Sequence, residues 1–139
     1  MPSLNAKFDP SIGPLISVVV APARTINPGA LPNIQVNRFP ALIDTGASAT
    51  CISPSVAQTV GLEPIGKHPM TSATQSILSN VYLVDIVLPF ANAGLILNSI
   101  QVVEFNALDG FPYQMLLGRD ILCKGIFVLS SDGHFSFAI

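Results

Sequence analysis

Ala41-Leu42-Ile43-Asp44-Thr45-Gly46-Ala47-Ser48 decides how the rest of this chain is read. Three apolar residues of an expected short strand run straight into a carboxylate. An acid placed directly after a buried strand is costly unless it is hydrogen-bonded or paired. Gly46 lets the backbone turn tightly and aim amide N–H groups at the carboxylate, while Thr45 adds a hydroxyl that can bond a facing loop. An ordinary turn would use the same three residue types, and by composition the bare tripeptide recurs in about 3% of chains this long. The motif needs a companion.

Met115-Leu116-Leu117-Gly118-Arg119-Asp120-Ile121-Leu122 supplies it. A glycine follows an apolar strand, and a short helical stretch follows the glycine. With both motifs in place the sequence resembles the retropepsin-like aspartic proteases, single-lobe enzymes of the retroviral type and their cellular relatives. That family orders a hydrophobic strand, Asp-Thr-Gly-Ala, a flap hairpin, and two hydrophobic residues with Gly-Arg-Asp or Gly-Arg-Asn before a short helix. All four occur here in that order between Pro14 and Ile139. The expected organisation is an N-terminal extension over residues 1–13 and one domain over residues 14–139.

The resemblance implies an all-β fold, a closed or orthogonal barrel-like sheet with a flap hairpin and one or two short helices, acting as a homodimer. It implies that Asp44 is the catalytic aspartate, that Thr45 interlocks with its twin in the second copy, and that Gly46 shapes the loop orienting the carboxylate. Ala47, Ser48, Leu117, Gly118, Arg119 and Asp120 would support that loop. Ala73, Thr74, Gln75, Ser76, Ile77 and Leu78 would form the flap over the substrate. Terminal strands of the two copies would share a sheet beneath the site. Three features depart from viral members. Ser48 stands where an acid often pairs with the helix arginine, which leaves Arg119 to Asp120 or to a carboxylate of the second copy. The flap has no glycine-rich tip, and the loop over residues 21–33 is long.

Aspartate-based amide hydrolysis needs two carboxylates sharing a proton. The chain has one Asp-Thr-Gly and no Asp-Ser-Gly, and Asp9, Asp85, Asp109, Asp120 and Asp132 lack that context. The second aspartate must come from a symmetry mate in a twofold dimer. The segment His134-Phe-Ser-Phe-Ala-Ile139 alternates apolar and polar, as an interface strand does. The expected function is an aspartic endopeptidase acting on extended polypeptides. The alternative from another class is a dimer of the same fold that binds peptides or partners without cutting them, and peptide cleavage tells the two apart.

The remaining sequence fits a small β domain. Pro14–Ala21 reads as a β-branched strand, residues 22–32 as a loop, and Ile34–Phe39 as extended chain. Ser53-Pro54 to Gly61 carries helix punctuation at both ends. Residues 67–88 read as a hairpin turning near 73–76, and 95–105 as a strand pair or one bent strand. Residues 119–124 suit one or two helical turns, and 125–139 a hairpin around Asp132-Gly133. At 139 residues, 50% apolar and 10% charged, the chain is long enough for one core and too apolar for disorder.

A net charge of -2 with scattered Lys and Arg gives no case for nucleic acid. Asp85, Pro89 and Asn92 interrupt the most apolar stretch, so no membrane span is expected. No signal peptide is read at the N-terminus, and a cytoplasmic location is expected. No metal or cofactor is expected, since Cys51, Cys123, His68 and His134 lack ligand spacing. Both cysteines read as buried thiols, both histidines as surface residues, and Glu63 and Glu104 as solvated.

Overall fold

The computed structural model describes residues 2–26, 37–71, 74, 76–90, 94–107 and 110–139. In chain order the elements are β1 (Ser3–Lys7), β2 (Leu15–Pro22), β3 (Asn37–Ile43), β4 (Cys51–Ile52) and α1 (Pro54–Val60). Then come β5 (Gly66–Thr71), β6 (Ser76–Leu88), β7 (Leu95–Glu104), β8 (Met115–Leu117), α2 (Arg119–Leu122), β9 (Ile126–Leu129) and β10 (His134–Ala138). The fold is all-β with two short helices. Residues 34–36 of the expected extended segment lie outside the described residues. From Asn37 the strand continues unbroken to Ile43.

Six strands, in the order β2-β3-β8-β4-β7-β6, form a ring that pairing of β6 with β2 closes, and β5 hangs outside it on β6. Closure removes the exposed edges that an open sheet would leave. Over Val18–Val20 both faces of β2 are covered, and the sequence shows why. Ile16, Val18 and Val20 point into the main core, while Val19 packs with Ile26 and Val87 in a smaller cluster outside it.

α1 follows its punctuation. The Ser53 hydroxyl accepts the Val56 N–H at 3.2 Å and donates to Gln114 Oε1 at 2.8 Å, so one side chain caps the helix and ties it to the β8 approach. Gly61, at φ 78°, closes the other end in the left-handed region and donates to the carbonyls of Ala57 and Gln58, a conformation that favours glycine. Residues 95–104 are one bent strand. The bend is a bulge where Asp85 faces Asn98 and Ser99 (Val84 pairs with Ile100, Ile86 with Leu97), and Ser99 has φ 54°.

The second sheet corrects an expectation. β10 lies in its middle, paired along one edge with β1 and along the other with β9. Phe135 and Phe137 are buried in the main core, where Phe137 meets Phe90 at a ring distance of 5.7 Å. The C-terminal strand is therefore not a free arm able to interdigitate with a mate. Its two ladders of hydrogen bonds are already made within the chain, and its aromatic rings hold the small sheet against the barrel. Fully burying each ring stabilises the fold by about 1.5–3 kcal/mol.

Candidate active site

β3 and β8 run parallel, with Ile43 beside Leu117, so the loops that leave their ends meet. The Asp44 N–H donates to the Leu117 carbonyl at 3.0 Å. Beyond that bond the first loop turns back: Ala47 N–H donates to the Asp44 carbonyl at 3.2 Å, and Gly46 N–H to Asp44 Oδ1 at 2.9 Å. Among the described residues this is the one hydrogen bond on the Asp44 carboxylate. Asp44 is half-buried, and Thr45, Gly46 and Ser48 are exposed. A fixed carboxylate thus faces outward with acceptor capacity to spare.

A second set of bonds locks the two loops together. Arg119 N–H donates to the Ala47 carbonyl at 2.8 Å, and Gly118 N–H donates to Thr50 Oγ1 at 3.1 Å. The Thr50 hydroxyl passes its own hydrogen to Asp120 Oδ1 at 2.8 Å, while Thr50 N–H donates to Asp120 Oδ2 at 3.1 Å. Gly118 has to be glycine for reasons of space. A Cβ there would sit 2.6 Å from the Ala49 carbonyl carbon and 2.7 Å from its oxygen. Close approach of backbone to backbone, not a special dihedral angle, is what the motif's glycine provides.

Within its own chain Arg119 does not pair with Asp120, one of the two partners the sequence suggested. Its Nη1 donates to the Thr45 carbonyl at 2.8 Å, while Asp120 is taken up by Thr50 and by the Ile121 N–H at 3.0 Å. The planar guanidinium reaches across to the tip of the aspartate loop, and no acid at position 48 is needed to hold it there.

Between this loop and β5 lies a cleft of about 410 Å³. Ala49, Cys51, Val103, Phe105, Leu116 and Met70 give it an apolar wall, with Gly46 to Ser48 at one side and His68, Pro69 and Thr71 at the other. Of the expected flap residues, Thr74, Ser76, Ile77 and Leu78 are exposed, and Ala73 and Gln75 lie outside the described residues. The hairpin residues that do line the cleft, His68 to Thr71, come from the strand before that turn, which the sequence did not single out. The one available signal was Met70 and Ile77 facing each other across an alternating hairpin.

The two cysteines part company. Cys51 is a buried thiol on the cleft wall, donating to the Ala49 carbonyl at 3.4 Å. Burial first, then the charges of Asp120 and Asp44, push it up to about 11, so it is no nucleophile at neutral pH. Cys123 is exposed, contrary to expectation: it caps the C-terminal end of α2, one residue past the buried Leu122. His68 and His134 are exposed as expected. Glu104 is not simply solvated: it accepts the Tyr82 hydroxyl at 2.9 Å.

An aspartyl protease family model matches residues 25–121, which include the Asp44 motif, the second motif as far as Ile121, and the hairpin between them. The chain belongs to this family. Among curated proteins no sequence matches it. Of solved structures, a retropepsin-like aspartic protease from Rickettsia conorii superposes with a TM-score of 0.62 at 16% identity, covering 97% of this chain and 89% of that one. The simian foamy virus (mac) protease is a more distant likeness, with a TM-score of 0.49 at 13% identity over 79% of this chain and 92% of that one. The fold is thus retropepsin-like. Among the described residues no helix is long and apolar enough to cross a membrane, and no cluster of His, Cys, Asp or Glu could hold a metal ion.

Proposed function

We propose that the protein is an aspartic endopeptidase whose site is completed by a second copy, with the two Asp44 carboxylates as the acid/base pair. The observation that carries this reading is the outward-facing Asp44 carboxylate, oriented by Gly46 N–H at 2.9 Å and free of any other hydrogen bond among the described residues. Membership of the aspartyl protease family supports it. One carboxylate takes a proton from water as the oxygen attacks the peptide carbonyl carbon. The other, protonated, gives its proton to the carbonyl oxygen. As the tetrahedral intermediate collapses, the C–N bond breaks, the leaving nitrogen takes up a proton from the first carboxyl, and one hydroxyl of the intermediate returns its proton to the second carboxylate, which restores the starting pair. Two negative carboxylates held side by side repel, so the shared-proton state is the stable one.

Substrate would enter as an extended chain in the cleft beside β5, adding backbone hydrogen bonds and placing alternate side chains against the apolar wall. Thr45 is exposed next to the catalytic residue, where it would meet its twin. Ala73 to Leu78 would close over the bound chain. Arg119, Asp120 and Gly118 would hold the loop still. The test is digestion of a peptide library from acidic to neutral pH, beside a dilution series of the enzyme. Cleavage whose specific activity falls as the dimer dissociates is the expected result. Peptides that bind without being cut would make this a binding module instead. Linear activity from a species that sediments as a monomer would remove the second Asp44.

A further inference from the structure

With β10 paired on both sides, the small sheet has two free edges, β1 and β9, and they differ. The exposed residues of β1 include Asn5 and Lys7, polar and charged groups of the kind that blunt an edge against pairing. β9 has no such protection: Ile126, Val128 and Leu129 are 60%, 50% and 55% exposed. Lys124 and Asp132 stand exposed just outside its two ends. We propose that β9 is the strand by which two copies join, pairing antiparallel with itself about a twofold axis at Val128. The proposal rests on the reading that a second copy completes the catalytic site.

Hydrogen-bond parity and charge select that register. Ser130 N–H donates to the His134 carbonyl, and Val128 and Ile126 face Ser136 and Ala138 in the same ladder. In an antiparallel pair alternate residues turn both backbone groups the same way. Ile126, Val128 and Ser130 therefore spend theirs on β10, and Phe127 and Leu129 turn theirs to the open edge. A self-paired edge must match outward-turned residues, which requires the two paired numbers to have an even sum. Centring on Val128 pairs Phe127 of one copy with Leu129 of the other and closes both bonds. The same register carries Lys124 towards the partner copy's Asp132 at each end, opposite charges meeting twice. It also lays the exposed Val128 side chains against each other, covering apolar surface that the monomer leaves in water.

Val128→Cys, made in a Cys123→Ser background, tests the register directly. Directly opposed residues of a non-hydrogen-bonded pair have Cα atoms about 4.5 Å apart, within disulfide reach. The variant should cross-link to its own copy under mild oxidation and stay active on dilution. Val128→Glu sets like charges face to face and should raise the dimer dissociation constant at least about tenfold, with an unchanged melt at low protein concentration. Lys124→Glu should weaken association, and adding Asp132→Lys should restore it. A protein that still dimerises, but whose Val128→Cys variant does not cross-link and whose association Val128→Glu leaves unchanged, overturns the β9 interface while leaving the shared site intact. A wild-type chain that is monomeric and fully active at every concentration overturns both.

Discussion

Asp44 and Asp85 are the same residue at opposite ends of one barrel, and their surroundings give them opposite tasks. Ile43, just before Asp44, donates to the Pro14 carbonyl at one end of β2, and Asp85 faces Ala21 near the other. The separation along the strand is roughly 20 Å. Asp44 is half-buried and, among the described residues, takes one hydrogen bond on its carboxylate. Asp85 is fully buried and accepts Thr25 N–H at 3.0 Å, Ile26 N–H at 3.1 Å and Ser99 N–H at 3.0 Å. A carboxylate whose acceptor sites are filled by backbone is a fastening. One left open, on a loop locked from behind, is available for chemistry.

The largest expected effect comes from making the same change at both ends. Asp44→Asn keeps size and shape but removes the proton-carrying group, so peptide cleavage should fall at least about 10³-fold. The melting temperature should stay where it is. Asp85→Asn should do the reverse. It replaces one acceptor oxygen with a donor facing a buried N–H, and about 2–4 kcal/mol of stability should be lost. Activity per folded molecule should be kept. An Asp85→Asn protein that is stable but inactive would dissolve the distinction between the two ends.

Acid sharpens the same comparison. Burial works to raise the Asp85 carboxyl, but the amides of Ser99, Ile26 and the Arg24 turn outweigh it and hold it below the ordinary value of 3.8. A depressed carboxyl contributes stability that is fully present above its unfolded value and lost as pH falls through the folded one. Denaturant titrations should therefore show the wild type losing stability below pH 3.8, with a shallower loss in Asp85→Asn. Equal slopes would mean that other carboxylates carry the acid limb.

Gly118→Ala should have a smaller effect, and at the catalytic end. The added methyl meets Ala49 backbone at 2.6–2.7 Å, and overpacking of this kind costs about 1–3 kcal/mol. The two loops would have to part, so cleavage should drop together with stability. A glycine tolerated as alanine with full activity would mean that the loops do not need this contact.

The two ends also differ in how far sequence reveals them. Asp44-Thr45-Gly46, Leu117-Gly118-Arg119 and the caps of α1 are local patterns, in which the chemistry and its geometry lie within a few residues. The Asp85 clamp is assembled from residues up to 60 positions apart. Nothing near Asp85 in the chain announces the three amides it receives. The place of β10 was hidden for a related reason. Alternation shows that a strand has an inner face, but not which strands occupy its edges, and β1 comes from the other end of the chain. Arg119 illustrates a third limit. A sequence suggests carboxylates as partners for arginine, whereas a carbonyl that a turn presents at the right place leaves no trace in residue type.

Arg119 gives the smallest expected effect and a sharp way to check its partner. Its bond to the Thr45 carbonyl is exposed, so Arg119→Ala should cost only about 0.5–1.5 kcal/mol. Freed of that tether, the aspartate loop should move more, and cleavage should fall several-fold with a larger change in kcat than in KM. The partner is a neutral carbonyl, so the wild-type advantage should change little between about 0.05 M and about 0.5 M salt. An ion pair with a carboxylate at the surface would be screened over that range. If the difference between wild type and Arg119→Ala shrinks markedly with salt, Arg119 pairs with an acid in the working enzyme, and the loop is held by charge across the two copies and not by its own turn.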